Sequence, residues 1–255
     1  MGAVCGTPVS IVGVIQTRVN STRLPKKALL PIAGRPMFLR IWDRLALCPA
    51  LDSVVVLTSN DDANEPIRAI CTRESVGCVS AETDANVLGR FVAALDRTGA
   101  DALVRITSDC PLADPLVIRD VVRAFTDSLH CDYASNVLPR SFPDGLDVEV
   151  ISADAIRWLD LRCHANREEF TRVIWNAPDA FRCVNVEIDP DLSGLRWTVD
   201  YYQDLEFARW AYERLPEGFG WQDVLALKDQ APQDMLCRFD PAAAKENEGG
   251  RRRSY

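Results

Sequence analysis

Uninterrupted apolar runs alternate with helically spaced apolar positions over the first half of this chain. Ile11-Val12-Gly13-Val14-Ile15, Ser53-Val54-Val55-Val56-Leu57-Thr58 and Ala102-Leu103-Val104-Arg105-Ile106-Thr107 are short, rich in β-branched residues and bounded by polar residues. That pattern predicts strands buried on both faces, as in a parallel sheet. Gly77 to Ser80 reads as a further short strand. Between them, Phe38, Ile41, Trp42 and Leu45 recur at helical spacing, as do Val87, Leu88, Phe91, Val92 and Leu95 in a helix starting near Asn86. Ser59-Asn60-Asp61-Asp62 is expected to cap the next helix, and Pro115 to Leu129 forms another. This β-α-β-α order predicts an α/β fold with a doubly wound, mostly parallel sheet and right-handed crossovers.

The rhythm changes after Cys131. Tyr133 to Val137, Asp147 to Ile151 and Phe181 to Ile188 read as strands, Ala153 to Asn176 as helix, and Trp221 to Gln230 as a last outer helix. The expected organisation is one domain over 1–240, with a core at about 10–130 and 181–215 and a small elaboration at about 131–180. A tail at 241–255, carrying Arg251-Arg252-Arg253, is expected to be disordered.

Composition narrows the class. No stretch of the 255 residues approaches the roughly 20 apolar residues of a membrane span, and Met1 to Ser10 lacks the features of a signal peptide, so a cytoplasmic location is expected. The formal net charge of −8 argues against a broad nucleic-acid surface. Cys5, Cys48, Cys71, Cys78, Cys110, Cys131, Cys163, Cys183 and Cys237 stand singly, with His130 and His164 the two histidines, which argues against a disulfide framework or a zinc site.

Against that acidic background, Gln16 to Lys27 (Gln-Thr-Arg-Val-Asn-Ser-Thr-Arg-Leu-Pro-Lys-Lys) is a strongly basic loop directly after a predicted strand. Phosphate oxygens take charge-assisted hydrogen bonds from Arg and Lys, and strand carboxyl ends are where open α/β sheets bind ligands. A solvated basic loop is the alternative. Thr107-Ser108-Asp109-Cys110-Pro111-Leu112 follows a second strand, and Arg196-Trp197-Thr198-Val199-Asp200 reads as a third strand ending at a carboxylate, before a helix carrying Leu205, Ala208 and Trp210. Two such aspartates could share one magnesium ion over a triphosphate. Asp109 could instead cap a turn, and Asp200 the following helix. No G-x-x-x-x-G-K-[ST] loop, G-x-G-x-x-G fingerprint or G-x-S-x-G elbow is present.

Taken in order, these segments resemble the spore-coat polysaccharide F family of cytidylyltransferases, related to CMP-acylneuraminate and CMP-Kdo synthetases. The family's Q-A-R-x-x-S-T-R-L-P-x-K matches Gln16 to Lys27, its T-G-D-C-P-L matches Thr107 to Leu112, and its aspartate after R-W-T-V matches Asp200. Asp144 to Glu149 and Arg167 to Thr171 are similar to its sugar-side segments, and the likeness runs over roughly residues 10 to 215. Departures stand at Asn20, Lys26 and Ser108, where the family usually has Gly, and at Phe170, where it has His. Asn20 is expected to keep the loop's shape by tolerating positive φ, and Phe170 to remove a polar group from the acceptor pocket.

The resemblance implies a Rossmann-like nucleotide-diphospho-sugar transferase fold and transfer of CMP from CTP to an acidic sugar or related anionic acceptor, with Mg²⁺ as cofactor. Transfer to a phosphonate or a phosphorylated alcohol, and a non-catalytic nucleotide-binding role, are the competing readings. Arg18, Lys27 and Asp109 would be catalytic; Gln16, Thr17, Ser21, Arg23, Asn86 and Arg90 would join them in binding the nucleotide. Asp109 and Asp200 would hold the metal, and Asp144, Asp147, Glu149, Arg167 and Glu168 the acceptor. Arg90 could equally be a solvated helix residue, and the acceptor-side acids ordinary surface charges. Relatives commonly pair through residues corresponding to 132–176, so a homodimer is expected, with Trp158 and Trp175 serving that contact or the core.

Overall fold

A computed structural model describes residues 9–165 and 167–238. Cys5 and the tail expected at 241–255 lie outside the described residues. Nine strands are described: β1 Ile11–Gln16, β2 Pro31–Ile32, β3 Arg35–Pro36, β4 Ser53–Thr58, β5 Cys78–Ser80, β6 Ala102–Thr107, β7 Tyr133–Ser135, β8 Glu149–Ser152 and β9 Cys183–Asn185. The helices are α1 Met37–Leu45, α2 Glu65–Arg73, α3 Val87–Thr98, α4 Pro115–Asp127, α5 Ala153–Arg162, α6 Thr171–Asn176, α7 Tyr202–Arg214 and α8 Trp221–Ala226.

Seven strands form one sheet in the order β5-β4-β1-β6-β8-β7-β9, with β2 and β3 a separate ribbon. β1 pairs in parallel with both β4 and β6, and β4 with β5; β8 runs antiparallel to β6 and β7. Side chains alternate between the two faces, as a period of two requires. Ile11, Ile15, Val104 and Ile106 pack with Ile41 of α1, Val117 and Val121 of α4 and Phe207 of α7. Val12, Val14 and Leu103 pack on the opposite side with Leu88 and Phe91 of α3 and Ile156 of α5. Both faces are covered, which is why these strands read as continuous apolar runs.

The order of the strands positions the site. From β1 the chain winds to β4 and β5 on one side, then crosses back to β6 on the other. Loops leaving β1 and β6 therefore diverge, and the crevice between their carboxyl ends is the ligand position of an open parallel sheet.

Several local expectations are corrected. Ala153 to Asn176 is not one helix: α5 ends at Arg162, Arg167–Glu169 forms a single tight turn, and α6 starts at Thr171. The strand expected to run to Ile188 is confined to Cys183–Asn185. Residues 197–200 form no strand; Arg196 makes an isolated bridge to Asp144. The last helix stops at Ala226 and tightens into a short 3₁₀ turn over Leu227–Gln230. Ser59 and Asp61 do not cap a helix: Ser59 Oγ donates to Asp84 Oδ1 and Asp61 Oδ2 accepts from Asp84 N–H, each at 2.8 Å. The lone cysteines are free thiols wherever their side chains are described. Among the described residues no helix is long and apolar enough to cross a membrane.

Candidate active site

The basic loop folds back along the mouth of the β1–β6 crevice. Thr17 N–H extends the ladder by donating to Leu57 O at 2.9 Å, and Val19 N–H donates to the buried Asn64 Oδ1 at 2.7 Å. Lys26 adopts φ 58°, so the family's glycine is replaced by a lysine at a truly left-handed position. Asn20 has no such conformation; its amide instead donates to Asp84 at 3.4 Å. Lys27 then starts one 3₁₀ turn, Lys27–Leu29, that aims its side chain inward.

At that point three distant segments meet. Lys27 Nζ donates to Asp109 Oδ2, Asp200 Oδ1 and Val199 O, each at 2.9 Å. The backbone joins them too, with Val199 N–H donating to Asp109 O at 2.7 Å. Arg23 Nη2 lies 2.6 Å from Asp200 Oδ1, and Arg196 Nη2 holds Oδ2 at 2.9 Å. Asp200 does not cap α7. Asp204 does that, accepting from the N–H groups of Asp200 and Tyr201 at 2.8 Å while pairing with Arg196 at 3.0 Å and with Arg238. Burial would push the Asp109 carboxyl up, but the Lys27 ammonium and the Thr107 hydroxyl outweigh it and hold it down at about 2. Lys27 is likewise pulled down by burial and raised above its ordinary value by the two carboxylates. The buried Cys110 thiol beside them is pushed well up, by burial and then by Asp109, so it offers no thiolate.

A cleft of about 500 Å³ opens here, lined among others by Gln16, Thr17, Arg18, Ser21, Arg23, Lys27, Arg90 and Asp109. Arg18 reaches across its mouth to Glu168 at 2.8 Å. Asp84 forms a wall, its carboxylate held by Ser59 Oγ and Asn64 Nδ2 at 2.8 Å. Arg90 is not a solvated helix residue: it is 1% exposed, and its Nε and Nη1 have no partner. Its one hydrogen bond runs from Nη2 to Asp84 O at 3.2 Å. Burial lowers its pKa, partly offset by Asp84, yet a guanidinium stays charged. The Thr17 hydroxyl is also buried without a partner. Buried donors left unpaired are costly, and in a cleft they mark where a ligand's acceptors fit.

The remaining expected residues do not line this cleft. Asn86 caps α3, accepting from Gly89 N–H at 3.0 Å and from Arg167 Nε at 2.6 Å. Arg167 also pairs with Asp160 at 2.5 Å. Glu149 is buried between Arg105 and Tyr133, whose hydroxyl also accepts from Trp175 Nε1 at 2.9 Å. Arg105 Nε in turn fixes Gln16 Oε1 at 2.8 Å. Asp147 is gripped by both Nη atoms of Arg140. Asp144, 4.0 Å from Arg140, has its carboxyl raised to about 6 by burial and by Asp147, against the pull of Arg140 and Arg196. Phe170 sits in no polar pocket; it is fully buried, its ring centroid 5.0 Å from that of Phe91. Sequence reasoning passed over Arg105, Arg196 and Asp204. The signal for Arg105 was there: a single charge inside an apolar strand must find a buried partner.

A doubly wound sheet whose switch-point loop gathers cations around two carboxylates, Asp109 after β6 and Asp200 before α7, defines a nucleotidyltransferase. The particular family follows from sequence: residues 12–141 match the profile of the cytidylyltransferases, and the chain belongs to that family. It is 28% identical over 251 residues to the uncharacterized protein MJ1063 of Methanocaldococcus jannaschii, covering 97% of this chain and 98% of that one. The spore coat polysaccharide biosynthesis protein SpsF of Bacillus subtilis is 26% identical over 218 residues, 81% of this chain and 88% of SpsF. A 3-deoxy-manno-octulosonate cytidylyltransferase of Geobacter metallireducens is 32% identical over 114 residues, and that match spans only 45% of this chain and 44% of the relative. Among solved structures, a cytidylyltransferase from Leptospira borgpetersenii superposes with a TM-score of 0.84 at 24% identity, covering 90% of this chain and 98% of that one, which establishes the shared fold.

Proposed function

We propose that this chain transfers CMP from CTP to an anionic acceptor, an acidic sugar or a close analogue, and releases pyrophosphate. The observation that carries the reading is the meeting of Lys27, Asp109 and Asp200 at one ammonium, in a cleft that also presents Arg18 and Arg23. Arg18, Arg23 and Lys27 hold the β- and γ-phosphates, with Ser21 adding a donor. Arg90 and Thr17, cleft residues whose buried polar atoms lack partners, face the acceptor atoms of the nucleoside. An acceptor oxygen forms a bond to the α-phosphorus as the bond from that phosphorus to the bridging oxygen breaks. Pyrophosphate leaves with the electron pair, and a hydroxyl acceptor loses its proton to solvent. Such transfers depend on positioning and charge neutralisation.

The carboxylates suit a magnesium ion. Asp109 and Asp200 reach one point and are hard oxygen donors, and no third His, Cys, Asp or Glu joins them among the described residues. Magnesium characteristically takes one or two carboxylates and completes its shell with water and phosphate. Bound there, it would neutralise charge at the α-phosphate. The acceptor enters on the β8 side of Asp109, where Asp144 and Asp147 stand with Arg140. Glu149, held by Arg105 and Tyr133, and Arg167, held against Asn86 and Asp160, position neighbouring residues rather than touching substrate. Pairing of two copies through 131–180 would cover Trp158 and Leu161, which stand exposed on α5.

The relatives named for spore-coat polysaccharide and 3-deoxy-manno-octulosonate support an acidic sugar as acceptor. The test is pyrophosphate release with Mg²⁺, each of CTP, UTP, GTP and ATP, and a panel holding 3-deoxy-manno-octulosonate, N-acetylneuraminate, an alkylphosphonate and a phosphorylated alcohol. Turnover with CTP and an acidic sugar is expected. Preference for another nucleotide or for the phosphonate refutes the assignment, and tight CTP binding without turnover favours a binding protein.

A further inference from the structure

Every cation that the proposed function sends to phosphate already holds a carboxylate. Arg18 holds Glu168, Arg23 holds Asp200, and Lys27 spans Asp109 and Asp200. The Lys27 pairs differ from the Arg18 pair in burial. The Arg18 and Glu168 side chains are about half exposed, whereas those of Lys27, Asp109 and Asp200 are 12%, 25% and 4% exposed. An exposed pair opens at little cost, but a buried carboxylate that loses its partner is strongly disfavoured.

Asp109 is the more dependent of the two acids. Without Lys27, Asp200 keeps Arg23 and Arg196, while Asp109 keeps no cation among the described residues, retaining the Thr107 hydroxyl at 2.5 Å, the Cys110 thiol at 3.6 Å and its own backbone N–H. Swinging Lys27 to a triphosphate therefore leaves Asp109 without a cation, a cost that another positive charge between the aspartates removes. Conversely, a divalent cation cannot take those oxygens while the ammonium occupies their common point.

We propose that Lys27 is a built-in stand-in for the divalent cation, so that metal and triphosphate enter the site together and each is bound weakly without the other. This deepens the function proposed above and rests on it for the identity of the triphosphate. The exchange is a swap of ion pairs: ammonium leaves carboxylate for phosphate, and the divalent ion takes the carboxylates. Linkage makes the coupling reciprocal, with a size in the ordinary range of about 5–150-fold.

Removing the lysine should create a metal site that needs no nucleotide. Lys27→Gln keeps hydrogen-bonding capacity but leaves the two carboxylates without their shared cation, so the nucleotide-free variant should bind Mn²⁺ at least about 10-fold more tightly than the parent, or about 1.4 kcal/mol. Electron paramagnetic resonance of free Mn²⁺ reads this directly. In the unmodified protein, calorimetry should show CTP binding about 10–100-fold tighter with Mn²⁺ than with EDTA. Equal Mn²⁺ affinity of nucleotide-free parent and Lys27→Gln overturns the proposal, as does CTP binding that ignores the metal. Should Lys27→Gln lose its circular dichroism spectrum, the parent's coupling alone decides. If CTP binds under neither condition while Lys27→Gln gains its Mn²⁺ site, the stand-in role holds and the nucleotide assignment fails.

Discussion

Replacing Arg90 by methionine should strengthen the folded protein and cripple its ligand binding at once. The side chain is 1% exposed, with two of its nitrogens unpartnered and one bond, to Asp84 O, at 3.2 Å. A buried donor without an acceptor costs about 1–3 kcal/mol, and exchanging an imperfectly compensated buried charge for an apolar group of similar volume is often stabilising. Losing the Asp84 bond returns roughly 1 kcal/mol of that. The net expectation for Arg90→Met is a gain of about 1–2 kcal/mol, or a Tm rise of about 2–8 °C for a chain of this size. If Nε and Nη1 meet acceptors on the nucleoside, two charge-assisted bonds at about 1.5–3 kcal/mol each disappear, weakening CTP by about 10²-fold or more. Thermal melting of the free protein and calorimetric titration with CTP and Mg²⁺ measure the two effects. A lower Tm together with unchanged CTP affinity would show Arg90 to be a structural residue and refute the reasoning.

Lys27→Ala and Asp109→Asn should each cut pyrophosphate release about 10²–10³-fold while retaining the parent circular dichroism spectrum; near-parent turnover by either removes that residue from the site. Asp144→Asn should raise Tm more at pH 7.5 than at pH 4.5. The folded carboxyl is raised to about 6 against an unfolded value near 3.9, so between these values the folded state binds more protons and stability falls as pH rises. An equal effect at both pH values would contradict that raised carboxyl. Asp109 behaves oppositely: held at about 2, it contributes stability above roughly pH 4 that is lost as pH falls towards 2. Gly145→Ala should cost more than about 2 kcal/mol, because its φ is 116° and a Cβ would lie 2.7 Å from Thr198 N and 2.8 Å from Trp197 C; a denaturant midpoint within error of the parent's would disprove it.

What could be read from sequence follows from how each element is stabilised. β1, β4 and β6 are buried on both faces, so their composition alone exposes them. α3 and α4 carry a clean apolar stripe with caps at Asn86 and Asp114. The region after Cys131 was harder, since β7 and β9 are three residues long and owe their pairing to neighbours rather than to pattern. Apolar positions continue through Phe170, Val173 and Ile174, which makes 153–176 look like one helix. The break comes from Arg167, whose guanidinium bonds Cys163 O and Asp160 O and stops the chain there. At the site, the residues on the first loop and at Asp109 were visible because charge in a strand-end turn is unusual. Arg90 was ambiguous, because nothing local reveals that a helix residue is buried beneath a loop 70 positions away. Glu149 and Asp147 looked like free acids for want of any sequence sign of Arg105 and Arg140 as partners.

A crystal structure of the protein with CTP and Mg²⁺ tests the central claim most directly. The account predicts triphosphate density against Arg18, Arg23 and Lys27, the metal between Asp109 and Asp200, and the base at Arg90 and Thr17. Nucleotide bound elsewhere, or Lys27 still bridging the two aspartates beneath a bound triphosphate, would contradict it.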